Sequence, residues 1–112
     1  MFAGSLAIAA DEASDDVVQL VVGLLAEKDK DLRAVGLEQV RSEAKGAAAT
    51  RQFAAQLPKL SADAQVGLLS ALADRQDKAA RAAVVELLQA SKDDAVRVAA
   101  IRALGSLGET SD

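Results

Sequence analysis

Residues 93–108 read DDAVRVAAIRALGSLG, and this stretch decides the fold. Val96, Ala99, Ala100, Ala103, Leu104 and Leu107 recur at the spacing of one face of an α-helix. Asp93 and Asp94 stand where a helix start favours acids, and Gly108 stands where a left-handed residue closes a helix. Val98 and Ile101 fall off the main stripe, so the apolar face is wide enough to touch neighbours on two sides.

The same pattern occurs 64 residues earlier. Asp29 aligns with Asp93, Leu32 with Val96, Arg33 with Arg97, Val35 with Ala99, Leu37 with Ile101 and Val40 with Leu104. Half that offset lands on a middle copy, where Leu32 maps to Ala64, Leu37 to Leu69 and Val40 to Leu72. A unit of about 32 residues written three times is the mark of a stacked repeat. Each unit also holds a first helical pattern, clearest in Val17, Val18, Val21, Leu24 and Leu25 and in Ala80, Ala83, Val84, Leu87 and Leu88. Ser14 or Asp15, Asp29, Ser61 and Ser91 are placed to cap helix starts, and Ser91 with Asp94 is similar to a shortened capping box. Gly46 and Gly108 are placed as left-handed helix ends, and Pro58 ends or kinks the helix that holds Phe53 and Leu57. The spacing predicts helices over 16–27, 31–44, 47–57, 62–73, 78–90 and 94–107. The expected fold is all-α: an α-solenoid, right-handed, of three stacked antiparallel helix pairs. The copies cover 16–46, 47–77 and 78–108 of a repeat domain spanning 16–112, behind a lead at 1–15.

Composition sets what chemistry is open. There are 26 alanines against two aromatic residues, Phe2 and Phe53, so the core is aliphatic and small-residue rich. With no Cys or His in the chain, disulfides, thiolate or Ser-His nucleophiles, zinc fingers and His-held haem are excluded. No apolar run reaches the roughly 18 residues of a membrane span. Residues 1–16 carry Asp11, Glu12, Asp15 and Asp16 and no base, which leaves 13 acids against 13 bases over residues 17–112. The net charge of −4 therefore belongs to the lead, and the near-neutral remainder offers no net basic surface for a polyanion.

Two readings of Met1–Ala10 (MFAGSLAIAA) stand side by side. Ala7-Ile8-Ala9 resembles the small-x-small pattern before a signal cleavage site, although no basic region precedes it. On that reading residues 1–10 are a signal-peptide remnant and the protein is exported. On the other, Phe2, Leu6 or Ile8 packs on the first repeat as a native helical turn, and the protein is cytoplasmic.

The third copy resembles HEAT-type repeats, specifically the short variety related to the phycobilisome-lyase HEAT-like family. The likeness rests on the whole pattern Asp93-Asp94-Ala95-Val96-Arg97-Val98-Ala99-Ala100 followed by Ala103-Leu104-Gly105-Ser106-Leu107-Gly108. The first copy keeps Asp29, Leu32 and Arg33 but has Val35-Gly36 for the alanine pair, and the middle copy has Ser61 and Gln65 for the Asp and Arg. The resemblance implies a structural ladder of Asp29, Arg33, Ser61, Gln65, Asp93 and Arg97 between adjacent second helices. A plain intrahelical pairing four residues apart is the alternative.

Asp15-Asp16, Asp29/Asp31 and Asp93-Asp94 sit at expected helix starts, where capping accounts for them without general acid–base or metal work. No calcium loop or phosphate-binding glycine loop is present, and neither catalysis nor a cofactor is expected. The expected function is a non-catalytic protein–protein interaction or scaffolding module, as a segment of a larger repeat protein. Its alternatives are nucleic-acid binding and a lyase-like subunit. Arg75, Lys78 and Arg81 form a basic cluster between copies two and three and are the candidate partner-binding surface. Asp74 and Asp77 interrupt that cluster, and the chain has too few aromatics to stack bases, so a protein partner is favoured over nucleic acid. The last helix, apolar on several sides, is not a polar cap, which predicts self-association through it or a further repeat upon it.

Overall fold

The computed structural model describes residues 13–108; Met1–Ala10, with both of its readings, lies outside the described residues. Among the described residues, six α-helices run in order: α1 (Asp15–Leu25), α2 (Lys30–Ser42), α3 (Ala47–Ala54), α4 (Ala62–Arg75), α5 (Arg81–Ala90) and α6 (Asp94–Ser106). Short 3-10 turns at Leu57–Lys59 and Lys78–Ala80 follow α3 and lead into α5. No strand occurs among the described residues.

The helix starts follow from their caps. Ser14 Oγ accepts from Val17 N–H, Asp29 Oδ1 from Asp31 and Leu32 N–H, Ser61 Oγ from Ala64 N–H and Asp93 Oδ1 from Val96 N–H. Each cap satisfies a backbone donor that the helix itself leaves open. Ser91 is displaced from its expected role: Asp93 caps α6, and Ser91 Oγ instead accepts from Asp93 N–H at 3.2 Å. Gly46 also differs. It does not close α2, which ends at Ser42, but opens α3 with a φ of 110°. Gly108 does close its helix, at a φ of 72°. Pro58 lies in the 3-10 turn after α3, so α3 stops at Ala54, three residues before its expected end.

Helices pair in sequence and then stack. α1 packs on α2 and α5 on α6, while α2 packs on α4 and α4 on α6. The first helices make their own layer, α1 beside α3 and α3 beside α5. Phe53, Leu57, Leu68, Leu69, Leu72, Val40, Val84 and Val96 are fully buried in one continuous core. The middle helix supplies the most of it. Ala64, Leu68, Leu69, Ala71 and Leu72 of α4 are all buried, because α2 and α6 cover it from both sides.

The tightest approach is in the first hairpin. A Cβ on Gly36 of α2 would lie 2.7 Å from Leu24 Cβ and 3.2 Å from the Leu25 backbone nitrogen of α1. Neither neighbour is a flexible side-chain end, so this spacing requires glycine. A Cβ on Gly105 in α6 meets nothing within 4 Å. Gly36→Ala is therefore expected to destabilise by about 1–3 kcal/mol, the range for overpacking. Gly105→Ala is expected to stabilise by about 0.5–1 kcal/mol through helix propensity. Thermal denaturation followed by circular dichroism checks both signs.

Candidate functional site

The six ladder positions sit at the starts of the second helices, and their bonding differs from a uniform ladder. Asp29, Ser61 and Asp93 are occupied as N-caps. Arg33, Gln65 and Arg97 share one act: each donates to carbonyls at the end of the preceding helix of its own copy. Arg33 Nη1 reaches Glu27 O, Gln65 Nε2 reaches Leu57 O at 2.8 Å, and Arg97 Nη1 reaches Leu88 O and Ser91 O. These carbonyls lie at or just past helix ends, where backbone acceptors go unmatched, so the position works as a clasp within the hairpin. Among these six residues, one pairing between copies begins at Arg33, whose Nη2 lies 2.9 Å from Asp63 Oδ2. Asp63, not Ser61, is the acceptor there, because the Ser61 hydroxyl is engaged with Ala64 N–H.

The stronger polar joints lie at the other end of the second helices. Arg41 Nε donates to Asp74 Oδ2 at 2.8 Å across the first junction. Gln76, left-handed at φ 63°, donates from Nε2 to Ser106 O and Oγ across the second. Arg75 lies between them. Its Nη1 donates to Val40 O at 2.8 Å, its Nη2 to Ala44 O and Gly46 O, and its Nε to Thr50 Oγ1. The guanidinium carbon stands 5.2 Å from the Phe53 ring centroid, within cation–π range. Thr50, fully buried, accepts from Arg75 and donates its one hydroxyl proton to Asp77 Oδ2 at 2.6 Å.

The three residues of the candidate basic surface are placed differently. Arg75 turns inward and gives both Nη groups to carbonyls of copy one, because the C-terminal carbonyls of α2 need partners, while Nε goes to Thr50 of its own copy. Lys78 is exposed, and Arg81 is half-buried at the start of α5. A cleft of about 190 Å3 beside Arg75 is lined by Arg41, Glu43, Lys45 and Asp77, which place both signs of charge in it. Among the described residues, no group of three acids gathers as a metal site.

The node has a defined electrostatic balance. Burial lowers the Arg75 guanidinium, partly offset by Asp77. Burial pushes the Asp77 carboxyl up, but the Thr50 hydroxyl, Ala79 N–H and the guanidinium groups of Arg75 and Arg51 outweigh it and hold the carboxyl below its ordinary value.

A second feature has no motif in the sequence to mark it. An open groove of about 420 Å3 runs between α3 and α5, lined by Ala54, Ala55, Pro58, Ala83, Glu86, Leu87 and Ala90. Ala83, Leu87 and Ala90 form one helical stripe of α5. The groove opens because Pro58 diverts the chain after α3 and because the facing side chains are mostly single methyl groups. Glu86 is the charged residue on its rim.

A family model described as HEAT repeats matches residues 50–112. No curated protein and no solved structure matches the chain. The narrower phycobilisome-lyase likeness rests on the pattern of residues 93–108 alone.

Arg75→Met is expected to cost about 2–3 kcal/mol, since it takes the guanidinium donor from the Val40 and Ala44 carbonyls, while Gly46 O keeps Thr50 N–H and the Thr50 hydroxyl keeps Asp77. The Asp77 carboxyl, lowered in the fold, contributes stability that is fully present above the ordinary value of 3.8 and is lost as pH falls through the folded value. From about pH 5 to about pH 3, wild type is thus expected to lose more thermal stability than Asp77→Asn, which keeps a capping side chain without the charge. Melting curves across that interval check it.

Proposed function

This chain belongs to the HEAT-repeat family, and from that premise we propose that it is a non-catalytic protein-binding module whose partner seats in the α3–α5 groove. HEAT repeats commonly mediate protein–protein interaction or scaffolding. The observation that carries the proposal is the groove itself. It is long enough to span two copies, mostly apolar, and floored by Ala54 and Leu87, which are already buried. Small side chains on both walls suit the aliphatic side chains of an incoming helix or extended segment. Glu86 at the rim favours a Lys or Arg beside those anchors. Nucleic acid is the weaker reading, because Arg75 is committed to backbone carbonyls and leaves the cluster without a focused basic surface.

A photo-crosslinking residue at Ala83 or Ala90 is expected to capture a protein partner in cells, and the same residue at Arg102, on the second-helix layer, is not. Glu86→Lys is expected to weaken the capture. Capture at position 102 alone would overturn the groove assignment. A salt-dependent shift of random-sequence duplex DNA, with no capture at Ala83 or Ala90, would replace it with the nucleic-acid reading.

A further inference from the structure

The exposure of equivalent positions changes along the stack. Leu32 is 46% exposed, whereas its counterparts Ala64 and Val96, 32 and 64 residues on, are 4% and 0% exposed. Val35 is 51% exposed, whereas its counterpart Gly67 sits against Leu37 of the copy before it. These positions therefore look toward the preceding copy, and in copy one they form an open head face on α2. The opposite trend marks the far end. Leu69 is 0% exposed beneath the third copy, while its counterpart Ile101 on α6 is 56% exposed and Val98 beside it is 48% exposed. They form an open tail face.

The charges carry the same register. Arg33 holds its own hairpin through Nη1 on Glu27 O and the next copy through Nη2 on Asp63. Arg97 repeats the first half of that arrangement through Nη1 on Leu88 O and Ser91 O. The counterpart of Asp63 one repeat back is Asp31, exposed in the first turn of α2. The tail thus presents the Arg, and the head the acid, of a junction that the molecule already makes once internally.

We infer that the chain stacks head to tail on a second copy of itself, with α6 of one molecule on α2 of the next. Arg97 pairs across this joint with Asp31 of the second copy. The two faces differ, so the contact is heterologous and each added molecule leaves a new tail open. This surface is separate from the α3–α5 groove, and the inference does not depend on what occupies that groove.

Sedimentation of the full 112-residue chain over a concentration series tests it. The mass is expected to rise past that of a dimer. Leu32→Glu, which spoils the head, and Ile101→Glu, which spoils the tail, are each expected to stay monomeric. Both positions are exposed, so circular dichroism is expected to show both variants folded. Mixed together, the two variants retain one sound head and one sound tail and are expected to form a heterodimer and nothing larger. Arg97→Asp or Asp31→Arg alone is expected to weaken association roughly threefold, and the double exchange to restore it. A chain that stays monomeric at every concentration would overturn the inference, and would leave the faces to Met1–Ala10 or to a further repeat. An assembly that stops at two and resists mixing of the variants would overturn it in favour of a symmetric contact.

Discussion

A single helix pair has two apolar sides and can hide only one of them within itself. The second side must find another pair. α4 hides both of its sides because α2 lies on one and α6 on the other, and it is the helix with the most buried residues. Remove either neighbour and Leu68 or Leu69 would meet water. Each such side chain contributes about 1.5–3 kcal/mol by burial, so one lost face outweighs any single polar joint in the stack. The whole structure therefore depends on neighbour-to-neighbour burial, and the other features adjust the spacing and register of that contact. Gly36 sets the closest spacing inside a hairpin, and the small residues Ala64 and Gly67 let α4 lie close beneath α2.

Polar groups fix what apolar burial leaves free. Aliphatic surfaces could slide by a turn at modest cost, but carbonyl ends cannot be left bare. Arg75 ties the end of α2, the loop at Gly46 and Thr50 of α3 to the end of α4, which pins two copies at one register. Gln76 does the corresponding work for copies two and three through Ser106. The left-handed backbone of Gln76 is part of this, because it turns adjacent residues toward opposite neighbours. The fourth residue of each second helix, Arg33, Gln65 or Arg97, secures its own hairpin, and Arg33 reaches the next copy as well through Asp63.

The fold was legible because it is periodic. A 3.6-residue rhythm inside a 32-residue rhythm names helices and their order together, and Asp29, Ser61 and Asp93 marked three starts directly. The middle copy's first helix was the weak point, since Pro58 shortens α3 and a 3-10 turn replaces its last residues. The site was less legible for a different reason. Arg75, Lys78 and Arg81 look alike in sequence, and only the position of α2's carbonyls shows that Arg75 is structural. A signal did exist: Thr50 is a polar residue at an otherwise apolar face of α3, and a buried hydroxyl needs partners. The groove had no signal of its own, because alanine reads as helix former or core filler until the spacing of α3 and α5 is known.

The same periodicity explains why the ends matter. In a repeat stack an interior face and an end face carry the same kinds of residue, so exposure alone separates them. Leu32 and Ile101 are ordinary core positions of this repeat that the described fold leaves uncovered, one at each end. Stacks that terminate stably place polar residues at those positions. Here both ends keep aliphatic side chains, and the flanking charges are of opposite sign, with Arg97 at the tail and Asp31 at the head. A symmetric contact between two tails would bring Arg97 toward Arg97 and a contact between two heads would bring Asp31 toward Asp31, each a repulsion that a head-to-tail joint avoids. Periodicity supplies the shape match and the charges choose between its orientations.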